Sequence, residues 1–163
     1  MVEIRSATTD DLPAILDIYN DIIENTTAAW DYIPHTLEMR QQWFAAKKEQ
    51  GFPVFVATED SVLLGFSSIG PFRIWAGYKY TVENSVYVTT GCRGRGIGKL
   101  LLQRLIDAVK ELQLHSIIAG IDADNNVSIE LHKKLGFEEV AHLKEVGFKF
   151  GRWLDLKFLE LIV

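Results

Sequence analysis

Val86-Tyr87-Val88, then Arg93-Gly94-Arg95-Gly96-Ile97-Gly98-Lys99, then Leu100-Leu101-Leu102 is the stretch on which the fold turns. The first three residues are β-branched or aromatic and read as the end of a strand running from Thr81 to Thr89. The last three open a helix of strongly periodic apolar residues, from Gly98 to Leu112. Between them lies a turn with three glycines and three cations in seven residues, Arg93, Gly94, Arg95, Gly96, Ile97, Gly98 and Lys99. Side chains are absent where backbone N–H groups point outward, and the positive end of a helix stands behind them. That combination binds an anion and suits a pyrophosphate. The plain structural alternative is a capping turn that binds nothing, which would have no use for so much positive charge.

Two familiar phosphate loops are excluded by counting. A Walker A loop ending at Gly98-Lys99 would need glycine where Arg93 stands and Ser or Thr where Leu100 stands. A dinucleotide fingerprint beginning at Gly94 would need glycine at Lys99, and the elements before it do not open a βαβ unit.

Working outward, Thr9 to Ile23 reads as a first helix, with Asp10 and Asp11 at its positive start and Pro13 in its first turn. Thr36 opens a second helix, which ends at Gly51. Pro53–Thr58 and Val62–Ile69 flank a short turn and read as a hairpin. Pro71 to Tyr80 is an aromatic loop, Ser116–Ile121 a buried strand, and a short helix from Val127 ends at Leu135-Gly136-Phe137, where Gly136 suits a left-handed cap. Two strands close the chain, Glu138–Glu145 and Trp153–Val163. This order predicts an α/β (α+β) fold in which a mixed sheet is flanked by helices, in one domain over residues 1–163.

Composition fits that reading. At 48% hydrophobic residues the 163-residue chain can bury a full core without metal or disulfide staples. A net charge of −5 argues against a nucleic-acid surface, and no apolar run approaches the roughly 18 residues of a membrane span. The single cysteine, Cys92, and the absence of an apparent signal peptide favour a reducing cytoplasm. His35, His115, His132 and His142 show no metal-ligand spacing, so no metal is expected.

Arg93-x-x-Gly96-x-Gly98 resembles the pyrophosphate loop of the GCN5-related N-acetyltransferases (GNAT). Asn125-x-x-Ser128, followed by Leu131-His132-Lys133-Lys134-Leu135-Gly136-Phe137, resembles the second acetyl-CoA motif of that superfamily. More narrowly, Glu83-Asn84-Ser85-Val86-Tyr87-Val88, the Leu131-His132 pair and the tail from Gly147 to Asp155 look like the phosphinothricin and methionine-sulfoximine acetyltransferase branch. The resemblance runs over essentially the whole chain. It implies a sheet splayed between the strands Thr81–Thr89 and Ser116–Ile121. The arm of acetyl-CoA would lie in the splay, hydrogen-bonded to the backbone of Val86, Tyr87 and Val88. It also implies direct transfer of an acetyl group to the amine of a small amino-acid-like substrate in a ternary complex, with a homodimer as the assembly.

Acetyl transfer needs a neutral amine, and Glu83, the one carboxylate in its strand, is the candidate base. Its bland alternative is a solvent-facing strand carboxylate. The N–H of Val88 would hold the oxyanion. His132 stands where much of the superfamily has a tyrosine that serves the departing thiolate; the alternative is a helix histidine bonded to backbone. Asn125 and Ser128 would hold the pantetheine, cap a helix, or both. Arg73 would grip a substrate carboxylate, with Phe72, Ile74, Trp75, Trp30 and Asn84 around the pocket. Cys92 is a bystander, and Lys149 and Trp153 have no chemical role on this reading. Two other functions stay open: a protein or peptide N-acetyltransferase, and a non-catalytic acetyl-CoA-binding module.

Overall fold

A computed structural model describes residues 1–163. Seven strands, β1 (Glu3–Ser6), β2 (Val54–Glu59), β3 (Val62–Pro71), β4 (Thr81–Val88), β5 (Ser116–Asp122), β6 (Glu138–Lys149) and β7 (Arg152–Ile162), and four helices, α1 (Leu12–Asn25), α2 (Leu37–Gln50), α3 (Ile97–Glu111) and α4 (Asn126–Lys134), follow in the order β1-α1-α2-β2-β3-β4-α3-β5-α4-β6-β7. The strands form one sheet in the order β1-β2-β3-β4-β5-β7-β6. Every pair is antiparallel except β4–β5.

Strand alternation divides the core in two. Val54 and Val56 of β2 face α1, where Leu12, Ile15, Ile22 and Ile23 are buried, and Phe44 of α2 closes that layer. Phe55 and Ala57 face the other side, where α3 buries Ile97, Leu101, Leu102, Leu105 and Val109 and α4 buries Ile129. Each helix therefore needs only one apolar stripe.

The structure adds an element and moves some boundaries. β1 is absent from the sequence reading: it is an edge strand of four residues, two of them charged, too short to show a period. α1 begins at Leu12, because Thr9–Asp11 form a separate 3₁₀ turn. That turn is clasped by Asp11, which accepts from Thr8 N–H at 2.8 Å and from the two terminal Arg5 guanidinium nitrogens at 2.8 Å. β6 runs four residues past Glu145, which takes a positive φ of 53° at a register shift and so disguises the strand's continuation. Thr36 caps α2 by accepting from Met39 N–H, and Gly51 ends that helix in the left-handed region, as the sequence reading has it.

Candidate active site

The parallel pair β4–β5 is the short one. Its register covers only Thr81↔Ser116, Val82↔Ile117 and Glu83↔Ile118. β3 follows β4 to Val88 and β7 follows β5 to Asp122, so beyond Glu83 the two central strands stay paired outward and part from each other. The expected splay is therefore present, with Glu83 at its vertex.

Which backbone groups face the opening follows from alternation. Thr89 N–H donates to Leu64 on β3, and Thr81 C=O accepts from Phe72. Odd-numbered residues of β4 thus direct their backbone to β3, and Val86 and Val88 direct theirs into the splay. This corrects the expectation for Tyr87. Its backbone belongs to the β3 ladder, and its ring packs on Phe66 at 5.3 Å and Tyr19 at 5.5 Å.

The same alternation separates Glu83 from Asn84. Glu83 is half-buried, and its Oε1 lies 2.9 Å from where a Cβ would stand on Gly120 of β5. The carboxylate thus leans across the splay and fills the place that Gly120 leaves open. Phe158 of β7 stands opposite Gly120, and Phe72 packs edge-on against it at 6.0 Å. Burial pushes the Glu83 carboxyl above its ordinary value, and the charge of Arg73 pulls it part of the way back. Arg73 itself lies over the Phe72 ring at 5.2 Å. Glu83, Phe72 and Arg73 are therefore brought together as expected. Ile74 is 91% exposed and Trp75 62% exposed, so neither side chain is packed against this group.

Asn84, expected beside the substrate, points to the opposite face. Its Nδ2 lies 3.0 Å from His132 Nε2 of α4. His132 is buried, and its Nδ1 sits 2.8 Å from the Ser128 carbonyl. A carbonyl can only accept, so Nδ1 carries the proton and Nε2 accepts from Asn84. Burial also holds the ring below its ordinary pKa. A neutral imidazole with both nitrogens occupied matches the helix-histidine alternative rather than a proton donor to a thiolate. Asn125 Oδ1 accepts from Ser128 N–H at 3.2 Å and caps α4, the structural half of its expected role. Gly136 takes φ 95° at the helix end, and Phe137 folds back edge-on to His132 at 4.9 Å.

The glycine turn joins β4 to α3. Gly94 and Gly96 have φ of 78° and 79°, a region costly for other residues, and a Cβ on either would meet nothing within 4 Å. The turn therefore stays open to an approaching group, and the first N–H groups of α3 have no intrahelical partner. Ile97 is 1% exposed and anchors the helix start in the core, so it can offer a ligand only its backbone. Arg93 and Lys99 are exposed. Arg95 is also exposed, but it pairs with Glu59 at 2.6 Å, so it is a poorer candidate for an anion than its neighbours. The open turn, the free helix end and the unpaired strand edge offer backbone N–H groups and positive charge on one continuous stretch of chain, from Val86 to Lys99.

Sequence reasoning missed Gly120 and, in the segment after α1, Thr27. An isolated glycine in the strand Ser116-Ile117-Ile118-Ala119-Gly120-Ile121 is itself the signal of a close approach. The segment after α1 reaches the site through Thr27, whose hydroxyl bonds the Asp122 carboxylate at the end of β5. Trp30, expected at the pocket, donates its indole N–H to Thr27 C=O at 2.9 Å and so belongs to the same wall.

Residues 4–157 match a family described as the acetyltransferase (GNAT) domain. The L-methionine sulfoximine/L-methionine sulfone acetyltransferase of Pseudomonas paraeruginosa is 48% identical over 159 residues, covering 97% of this chain and 92% of that protein. A ribosomal-protein-alanine N-acetyltransferase structure from Brucella melitensis superposes with a TM-score of 0.98 at 50% identity, over 99% of both chains. A GNAT superfamily phosphinothricin acetyltransferase from Sinorhizobium meliloti, solved in complex with AcCoA, superposes with a TM-score of 0.97 at 33% identity, over 99% of this chain and 88% of that one.

Proposed function

The chain belongs to the acetyltransferase (GNAT) family, and from that premise we propose that it moves an acetyl group from acetyl-CoA to the α-amine of a small amino acid of the methionine sulfoximine or phosphinothricin type. The observation that carries the reading is Glu83. It is a half-buried carboxylate of raised pKa at the vertex of the splay, with the cation Arg73 beside it.

On this reading the pyrophosphate of acetyl-CoA rests on Arg93, Gly94, Gly96, Gly98, Lys99 and the N–H groups of α3. Its arm runs along Val86 and Val88 as an added strand would. The thioester then lies near Glu83. The amine attacks the carbonyl carbon, a C–N bond forms, and the C–S bond breaks with its electron pair on the sulfur, so that CoA leaves as a thiolate and takes its proton from solvent. Glu83 takes the proton the amine must lose, directly or through water, and Val88 N–H holds the developing oxyanion. His132 acts by holding Asn84 in place. Arg73 binds the substrate carboxylate through its planar fork. We further place the protein in the cytoplasm as a homodimer. Its lone cysteine supports the compartment, and the exposed apolar side chains Val146, Phe148, Phe150 and Trp153 on the β6–β7 hairpin support the assembly.

A second reading, acetylation of a protein N-terminus, is favoured by the name of the Brucella melitensis relative. One assay separates the two. Release of CoA thiol is expected with L-methionine sulfoximine, L-methionine sulfone or phosphinothricin, and not with a peptide beginning in alanine. Turnover of the peptide alone would reverse the assignment. Within the same assay, Arg73→Ala is expected to raise KM about tenfold or more for the amino acid, the equivalent of losing one charge-assisted pair, and to leave the decarboxylated amine unaffected. Equal changes for both would free Arg73 of this role.

A further inference from the structure

Strand β6 ends in Gly147-Phe148-Lys149, three residues to which acetyl transfer as described gives no part. Lys149 is 3% exposed, unusual for a lysine. Its ammonium donates to three backbone carbonyls, those of Ile23 at 2.6 Å, Thr26 at 2.8 Å and Ala29 at 2.6 Å. These belong to the last turn of α1 and the chain just beyond it. Carbonyls there lack helix partners, and the helix dipole favours a cation. All three ammonium hydrogens are used, and each partner lies at least 120 positions away in the chain.

The neighbouring residues tie the same segment. The Tyr32 hydroxyl donates to the Phe148 carbonyl. The Trp30 ring lies so close over Gly147 that a Cβ there would stand 2.5 Å from it. Trp30 is bonded to Thr27, and Thr27 to Asp122, two residues beyond the glycine that underlies the Glu83 carboxylate. Hydrogen bonds joined by short stretches of backbone thus run from Lys149 to the Glu83 side of the splay.

We infer that Lys149 is a positioning residue for the amine substrate: by gathering the carbonyls of Ile23, Thr26 and Ala29 it fixes Thr27 and Trp30 as one wall of the pocket that Glu83 faces. The inference rests on the acetyl-transfer reading above. It assigns Lys149 no contact with acetyl-CoA, whose proposed turn and strand edge are built from other elements. Lysine is required because a methionine of similar length would fill the space and leave three carbonyls without a donor.

Two variants test this by different routes. Lys149→Met removes the donors and keeps the stem. Gly147→Ala keeps the donors and displaces Trp30. Each is expected to raise KM for the amine about tenfold, as misplacement of a binding wall does, while the calorimetric affinity for acetyl-CoA stays within about twofold. The double variant is expected to show less than the product of the two effects, since both act through Trp30. Unchanged amine KM in both folded variants, in an enzyme whose wild type turns over, overturns the inference and leaves the function standing. So does an equal loss toward both substrates, the mark of a merely structural role. If Lys149→Met does not fold, Lys149→Arg, which keeps the cation but replaces the three-donor ammonium by a planar fork, takes its place with the same outcomes. Wild-type protein that binds acetyl-CoA and acetylates no amine overturns the function and this inference together.

Discussion

Glu83→Gln is expected to lower kcat by about 10² to 10⁴, the usual contribution of a positioned proton transfer, with acetyl-CoA affinity nearly intact. The substitution keeps the side chain's shape over Gly120 and removes only its basicity. The sign of the pH dependence follows from burial. The base works ionised, and burial raises its pKa above the ordinary 4.5. Wild-type kcat/KM is therefore lost as pH falls through that raised value, at a higher pH than an exposed glutamate would give. Glu83→Gln flattens this limb. Amine protonation produces a limb of its own, so profiles are compared for substrates of different amine pKa, and only the limb that stays put belongs to Glu83. Gly120→Ala supplies an independent check. Its Cβ would stand 2.9 Å from Glu83 Oε1, so the carboxylate must shift while remaining a carboxylate. A fall in kcat in both variants ties the rate to where the carboxylate sits as well as to its charge. Retention of most of kcat by Glu83→Gln with amines of low pKa would place the base elsewhere.

The sequence carried the fold wherever local periodicity and caps decide it. α3 is legible because its apolar stripe and preceding glycines agree, and α2 because Thr36 and Gly51 mark both its ends. β1 was illegible because four residues at a sheet edge carry almost no pattern. The site was half legible. Glu83 and Arg73 stand out as charges among aromatic and β-branched neighbours. The separation of Glu83 from Asn84 was within reach, because consecutive strand residues face opposite sides. The ties made by Lys149 were not. They join residues 120 and more positions apart, and no local pattern announces a lysine that caps a distant helix.

Gly96→Val is expected to weaken acetyl-CoA binding about 10²- to 10⁴-fold, the equivalent of losing two charge-assisted hydrogen bonds of about 1.5–3 kcal/mol each. Two causes act together. Gly96 sits at φ 79°, where a β-branched residue is strained by about 1–2 kcal/mol, so the turn relaxes toward another shape and its N–H groups lose their common aim. The added side chain also occupies the open side of the turn, where a Cβ meets no protein atom within 4 Å and where the pyrophosphate must approach. That emptiness makes the experiment clean. No protein atom clashes with the first added carbon, and Ile97 still anchors α3, so the variant is expected to fold with only a modest loss of stability. Calorimetry with two ligands separates the causes. Acetyl-CoA affinity should fall, while an acetylated pantetheine fragment without the pyrophosphate should bind as it does to wild type, because it needs only the splay beside Val86 and Val88. Arg95→Ala offers a contrast on the same turn: its guanidinium is already paired with Glu59, so the loss should be much smaller. Undiminished acetyl-CoA affinity in a folded Gly96→Val protein would move the pyrophosphate off this turn. An equal loss for the fragment would mean that the damage has spread into the splay.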